Sequence, residues 1–414
     1  MKHVLILVLS LFLLKGLFAF DFFFEEEMDK RTISFQSETS LTLYKDAEIE
    51  PQATFTFALE QEKPLYRIIG KFTYDGQKQQ ISTKELSLSL FIGSVQLKGG
   101  IFTHPWGSAT LMHCVDILNA QDLRKGILDD LEAMKQPEAM ISLSVYTESS
   151  TLDLLLKPGF SPSYLQKEGR YALLPAQFAT VTLQEMDTNT LQNIGGGARY
   201  TIRHRWLDVG VLYFNGYNPQ AGFENIEFDP ITFAPISADL MYTRYQLFGI
   251  QSSMTKGPWN LALEGGFFLS EDREGTDLGR YNSKWTYLAE LSYTDEKTNA
   301  FYALAYQGHY ILAFPSSPFA VDMMASYEGK PYANSLAMAI EVPLYREKVT
   351  LRLGGTYQIE SKGYVLLGGG SYAISDDIEL FTKGTLYGSA SNMDSLYKNW
   401  KDNDSLTIGL KAWF

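Results

Sequence analysis

The chain has 414 residues, a formal charge of −13, 45% hydrophobic and 20% charged residues, and a single cysteine. One cysteine excludes a disulfide scaffold or a cysteine zinc site within the chain, and the acidic balance excludes an electrostatic nucleic-acid binder. A mean hydropathy of −0.12 excludes a multi-helix membrane protein. It leaves room for a transmembrane barrel, whose strands are apolar on one face only.

Met1 to Ala19 reads as a secretory signal: Lys2 and His3, an apolar run from Val4 to Leu14, and Leu17-Phe18-Ala19 as a cleavage site. Lys15 interrupts the run well short of the ~20 residues a membrane span needs. Loss of Lys2 and Lys15 with the signal makes the mature chain more acidic, and lone Cys114 suits an oxidising compartment. Residues 20–414 are read as one domain.

Two-residue alternation dominates the rest of the chain. Eighteen segments carry it, near 33–44, 51–61, 64–75, 84–92, 94–103, 138–147, 149–158, 195–205, 207–216, 241–253, 257–269, 283–294, 299–310, 334–344, 347–359, 363–374, 377–388 and 404–414. The last is the clearest, with Leu406, Ile408, Leu410, Ala412 and Phe414 alternating with Thr407, Gly409, Lys411 and Trp413. Long and short connections also alternate, so every long loop falls at one end, as in bacterial outer-membrane barrels. The predicted fold is therefore all-β, a transmembrane antiparallel β-barrel of about 18 strands. A 16-strand barrel is the alternative, losing a pair within 33–61. Expected partners are outer-membrane lipid and, through the strand ending at Phe414, the barrel-assembly machinery. No nucleic acid and no cofactor are expected.

Placing the apolar set outward sends Arg199, Arg203 and Arg205 into the lumen as a basic ladder on segment 195–205. Its functional reading is an anion-attracting wall; the plainer one is salt-bridging between strands.

The long connection 104–137 carries Leu123, Ile127, Leu128, Leu131 and Met134 at helical spacing, with Asp122 placed as a cap and Pro137 at the close. It predicts an amphipathic helix folded inward as a gate or plug, or else packed as a lid. Trp106, Asp116, Asn119, Asp122 and Arg124 are its candidate residues. The three short polar ones suit capping turns and pinning the segment to the wall. A second long insertion, 159–194, would complete the cap or plug. Loops 217–240 and 311–333 are apolar enough to offer a greasy mouth.

The order Trp106-Gly107, Val115-Asp116-Ile117-Leu118-Asn119, Asp122-Leu123, a charged stretch, Pro137 and the strand Met140-Ile141-Ser142-Leu143 resembles one bacterial family. It comprises outer-membrane β-barrels of unknown function, often encoded beside resistance-nodulation-division-type exporters of hydrophobic molecules. Ala120 stands where that family has proline. The resemblance implies transport or localisation of lipid-like compounds, with an envelope exporter as partner.

Catalysis would need a nucleophile, a base and an orienting group at one level. His104, His113, His204 and His309 show no such order with serine and aspartate, and the acids of 271–277 read as a solvated loop tip. The predicted function is passage or localisation of small hydrophobic or amphipathic molecules. A surface adhesin and an outer-membrane lipid-modifying enzyme are the alternatives.

Overall fold

The computed structural model describes residues 30–128, 132–174, 181–232, 235–317, 320–391 and 395–414. The signal lies outside them. In chain order the strands are β1 (Lys30–Tyr44), β2 (Ile49–Lys63), β3 (Tyr66–Asp75), β4 (Gln80–Ile92), β5 (Val95–Phe102), β6 (Glu138–Tyr146), β7 (Ser150–Lys157), β8 (Thr182–Gln184), β9 (Gly195–His204), β10 (Leu207–Tyr217), β11 (Gly222–Phe228), β12 (Pro235–Met241), β13 (Arg244–Lys256), β14 (Trp259–Ser270), β15 (Lys284–Thr294), β16 (Phe301–Ile311), β17 (Tyr332–Leu344), β18 (Val349–Gln358), β19 (Gly363–Ser375), β20 (Ile378–Ser389) and β21 (Ser405–Trp413).

Eighteen of these form one antiparallel sheet that closes on itself, since β1 pairs with both β2 and β21. Closure leaves no unpaired edge, the condition a sheet must meet to cross lipid. At the seam the Phe414 amide and carbonyl bond those of Phe35, at 2.8 and 2.9 Å. The remaining strands, β8, β11 and β12, make a small sheet at the long-loop end.

The strands form because alternation fits the pleat. On β4, Leu86, Leu88, Leu90 and Ile92 stand exposed while Ser87 and Ser89 are buried; on β21, Leu406, Ile408 and Leu410 are exposed. So continuous an apolar exterior is foreign to a soluble protein and is satisfied by lipid. Aromatic pairs band the outside at both ends. Trp259 with Tyr293 lies near the short turns, and Phe267 with Trp285 near the long loops, with ring centres 4.7 and 4.5 Å apart.

Inside, the wall is not uniform. Met140, Leu155, Leu212, Phe214, Tyr245, Leu247 and Leu288 point inward from the arc β6–β15 and form a buried cluster with Trp106, Val115 and Leu118. The opposite arc, β17 round to β4, presents Ser335, Thr350, Ser371, Thr407, Thr42 and Thr56 instead.

Candidate functional site: the lumen and its insertion

Residues 103–128 leave the end of β5 and turn into the barrel. Trp106 is fully buried, edge-on to Phe214 at 6.3 Å, with the Arg199 guanidinium 6.0 Å from its ring. Gly197 makes this approach feasible, because a Cβ there would lie 2.8 Å from the indole. Burying Trp106, Val115 and Leu118 stabilises the seat by roughly 2 kcal/mol each.

Beyond Trp106 the backbone itself is gripped. Gly107 N–H donates to Gln251 Oε1 at 3.0 Å. Ser108, Ala109 and Cys114 donate backbone N–H groups to the Glu264 carboxylate at 2.8, 3.1 and 2.9 Å. Thr110 and Leu111 do the same to Glu290, at 3.0 and 2.7 Å, and the Thr110 hydroxyl joins them. Both carboxylates are buried and neither has a lysine or arginine in reach among the described residues. Converging N–H donors satisfy their oxygens instead. His113 Nδ1 lies 3.4 Å from Glu264. Burial works to lower this imidazole, but the Glu264 bond and the charge of Asp116 outweigh it and hold His113 above its ordinary range. Burial pushes the neighbouring Cys114 thiol up to about 12, leaving it neutral and unreactive.

The segment then returns to its root. The Asn119 side chain accepts from His104 N–H at 2.9 Å and donates to Gln136 C=O at 2.8 Å, clasping both ends of the insertion. Asp116 is paired with Lys135, and both are almost fully buried. Glu138 on β6 pairs with Lys157 on β7 at 2.9 Å and also accepts from Ser161 N–H, so the roots of both insertions share one carboxylate.

Residues 121–128 and 132–135 run between the two sides of a bridge, Gln121 with Lys135, and here the structure corrects the expected helix. Among the described residues of this insertion only Glu132–Met134 turn helically, as one 3-10 turn. Leu131, like Asp129 and Asp130, lies outside the described residues. The periodic side chains find partners on separate surfaces: Leu123 and Ile127 pack on Tyr171, Tyr387 and Trp400, while Met134 is buried elsewhere. Gly126 has φ +77°, and a Cβ on it would meet Tyr171 at 2.6 Å. A helix can satisfy neither demand. Asp122 caps no helix; it accepts from Arg124 N–H at 3.0 Å and binds the Arg124 guanidinium at 2.7 Å. Arg124 in turn lies 3.6 Å over the Tyr164 ring.

The second insertion meets the first at this point. Tyr171 is edge-on to Trp400 at 5.3 Å, and Trp400 Nε1 donates to Ala172 C=O at 3.0 Å. Arg170 pairs with Asp46 and Glu48 beyond the end of β1.

The basic ladder is shorter than expected. Arg199 is paired with Asp153 at 2.9 Å, and Arg203 donates to Thr151 Oγ1 at 2.7 Å. Arg205 leaves the strand: it has φ +30° and forms, with Trp206, the tight turn into β10. Between these residues and the insertion tip lies a polar cavity of about 190 Å³, lined by Ser108, Thr201, Asp208, Gln251 and Ser253.

His113, Asp116 and Glu132 place ligand atoms within 4.8 Å of one another. The Lys135 ammonium already bonds both carboxylates, supplying the charge a metal ion would bring. In the 271–277 tip, Asp272 accepts from Gly275 and Asp277 N–H groups, and Asp277 binds Arg280, so the acids close on the loop itself. Among the described residues, neither His104 nor His113 hydrogen-bonds a serine or cysteine side chain.

No family model matches the chain, and no curated protein matches it. Among solved structures it is similar to Pseudomonas aeruginosa OccK11 (OpdR), with TM-score 0.53 and 12% identity over 93% of this chain and 96% of that one. It is also similar to Salmonella typhi OmpF in complex with daunomycin (TM-score 0.47, 9% identity, 94% and 99% covered). A third is a mutant Rh. blastica porin (TM-score 0.44, 10% identity, 93% and 100% covered). Together with the closed sheet and its apolar exterior, the likeness to OccK11 fixes the fold: a closed antiparallel transmembrane β-barrel of the porin type.

Proposed function

We propose that the protein is an outer-membrane channel for small amphipathic molecules, narrowed by residues 104–137 acting as a plug. The observation that carries this reading is the seating of 107–114 on Gln251, Glu264 and Glu290 in the lumen. Opposite it, Ser335, Thr350, Ser371, Thr407, Thr42 and Thr56 give the wall a small, hydroxylated face suited to a solute. Apolar surface at the mouth supports the amphipathic cargo: Phe228, Ile231 and Ile236 are exposed on the β11–β12 hairpin and its flanks, Ile231 to 85%. The resemblance carried by Trp106, Asp116, Asn119 and Asp122 extends the proposal to cargo exchanged with an envelope exporter. Phe414, paired at the seam, is the proposed recognition point for barrel assembly.

Replacing 107–136 with a short Gly-Ser linker and recording in planar bilayers tests the channel. A several-fold rise in conductance is expected. Equal conductance with and without the segment would remove its role as a plug.

A further inference from the structure

The polar cavity beside the insertion tip owes its wall side to Gly210. That residue is level with Thr201 on β9 and with Gln251 on β13. A Cβ on it would stand 3.1 Å from Thr201 Oγ1 and 3.2 Å from Gln251 Nε2, so both groups border the space the missing side chain leaves. Gly107 and Ser108 of the insertion line the same cavity of about 190 Å³. It is therefore a seam between insertion and wall, with room for a solute of several non-hydrogen atoms.

The polar groups around it are unequally engaged. Gln251 Oε1 accepts from Gly107 N–H at 3.0 Å, which fixes the amide and leaves Nε2 as its free end. Ser253 Oγ donates to Asn260 Oδ1 at 2.8 Å, so its oxygen can still accept. Asp208 is exposed and stands opposite Arg203 in register. The Arg203 guanidinium reaches the other way, to Thr151 Oγ1 on β7 at 2.7 Å. Among the described residues, the Asp208 carboxylate, Thr201 Oγ1 and Gln251 Nε2 have no hydrogen-bond or ion-pair partner.

These groups lie on two rungs of the wall. Asp208 and Ser253 are level with each other and present acceptors and a negative charge. Thr201 and Gln251 are level with Gly210, two residues or about 7 Å further along, and present an amide donor and a hydroxyl. A bare metal ion suits this poorly, because the space exceeds it and Gln251 turns N–H toward it. We infer that the cavity binds a small protonated amine that also carries a hydroxyl or carbonyl oxygen, its ammonium on Asp208 and Ser253 and its oxygen on Gln251 and Thr201. Gln251 also holds Gly107, so an occupant strengthens the latch. That last consequence deepens the plug reading and rests on it; the binding itself does not.

Calorimetry on the full-length barrel in non-ionic detergent tests the site with ethanolamine, using ethylene glycol and glycolate as its neutral and anionic counterparts. Ethanolamine is expected to bind and the other two are not. Asp208→Asn is expected to weaken binding about tenfold and Thr201→Val about threefold. No binding of ethanolamine, equal binding of ethylene glycol, or unchanged affinity in Asp208→Asn would overturn the site. Displacement of ethanolamine by an equal concentration of sodium ion would overturn it too, as the mark of a metal site. Folded mobility on unheated gels controls for barrel loss. A methanethiosulfonate reagent then reads Cys114. Ethanolamine at ten times its dissociation constant is expected to slow labelling of the wild type about tenfold and to leave Asp208→Asn unaffected. Labelling indifferent to bound ethanolamine would overturn the strengthened latch. Neither measurement needs a current, so a barrel that does not conduct would sink the channel reading alone.

Discussion

The two halves of the inner wall obey different chemistry although their outer faces are alike. From β6 to β15 the lumen side carries Leu155, Phe214, Leu247, Glu264 and Glu290, which match an apolar strip and a row of backbone donors on the insertion. From β17 to β4 it carries mostly small or hydroxylated residues, with Val365, Leu367 and Tyr387 as an apolar exception against the second half of the insertion. Charges there are paired across strands, such as Arg352 with Glu341 at 2.7 Å and Arg67 with Glu60 at 2.6 Å. Outward residues answer to lipid everywhere. Inward residues answer to whatever the lumen holds, and so they record where protein ends and water begins.

The contrast can be broken most forcefully at the carboxylates. E264A/E290A leaves five backbone N–H groups of the insertion without acceptors. At about 1–3 kcal/mol for each stranded group, the tip should unseat. Cys114 reports it: maleimide labelling, blocked by burial in the wild type, should accelerate at least about tenfold, the factor that ~1.4 kcal/mol provides. Continued protection of Cys114 would show that apolar contacts suffice.

Next in size is Lys135→Met, which abandons the buried Asp116 charge. Breaking such a pair costs about 3–5 kcal/mol, read as loss of protease resistance across 116–135. Gly126→Val comes third, at about 1–3 kcal/mol for overpacking; displaced Tyr171 should shift Trp400 fluorescence to the red.

A smaller, pH-dependent effect belongs to His113. Its folded pKa lies above the unfolded value of 6.5, so its bond to Glu264 contributes fully below 6.5 and is lost as pH rises through the folded value. Channel noise should therefore grow on the alkaline side, and H113N should flatten the profile. Smallest of all is Thr350→Val on the open arc, expected to change stability by less than about 0.5 kcal/mol and to leave Cys114 protection untouched. A large change there would erase the distinction between the arcs.

The eighteen barrel strands were legible because lipid imposes one rule on every outward position, and alternation states it. The seat of the insertion went unread, although it left a signal that alternation obscures. Leu155, Leu212, Leu247 and Leu288 make their strands apolar on both faces, which a water-filled lumen does not require. The helix over 123–134 misread spacing as local structure, because Leu123, Ile127 and Met134 are buried by walls that sequence distance hides. Arg205 was carried past the end of its strand, where a tight turn intervened. Glu264 and Glu290 could be placed inward, but their partners are main-chain groups, which leave no mark in the residues that supply them.

A latch that holds peptide groups leaves the Leu111 side chain free to vary, while Gly107, whose Cβ would lie 2.6 Å from Glu264, buried Ala109 and the Ser108 and Thr110 hydroxyls stay fixed. Only Leu111 of that stretch is therefore an interchangeable part. New selectivity could be written there, by nature or by design, while the lock that keeps it in place stays on the other side of the interface.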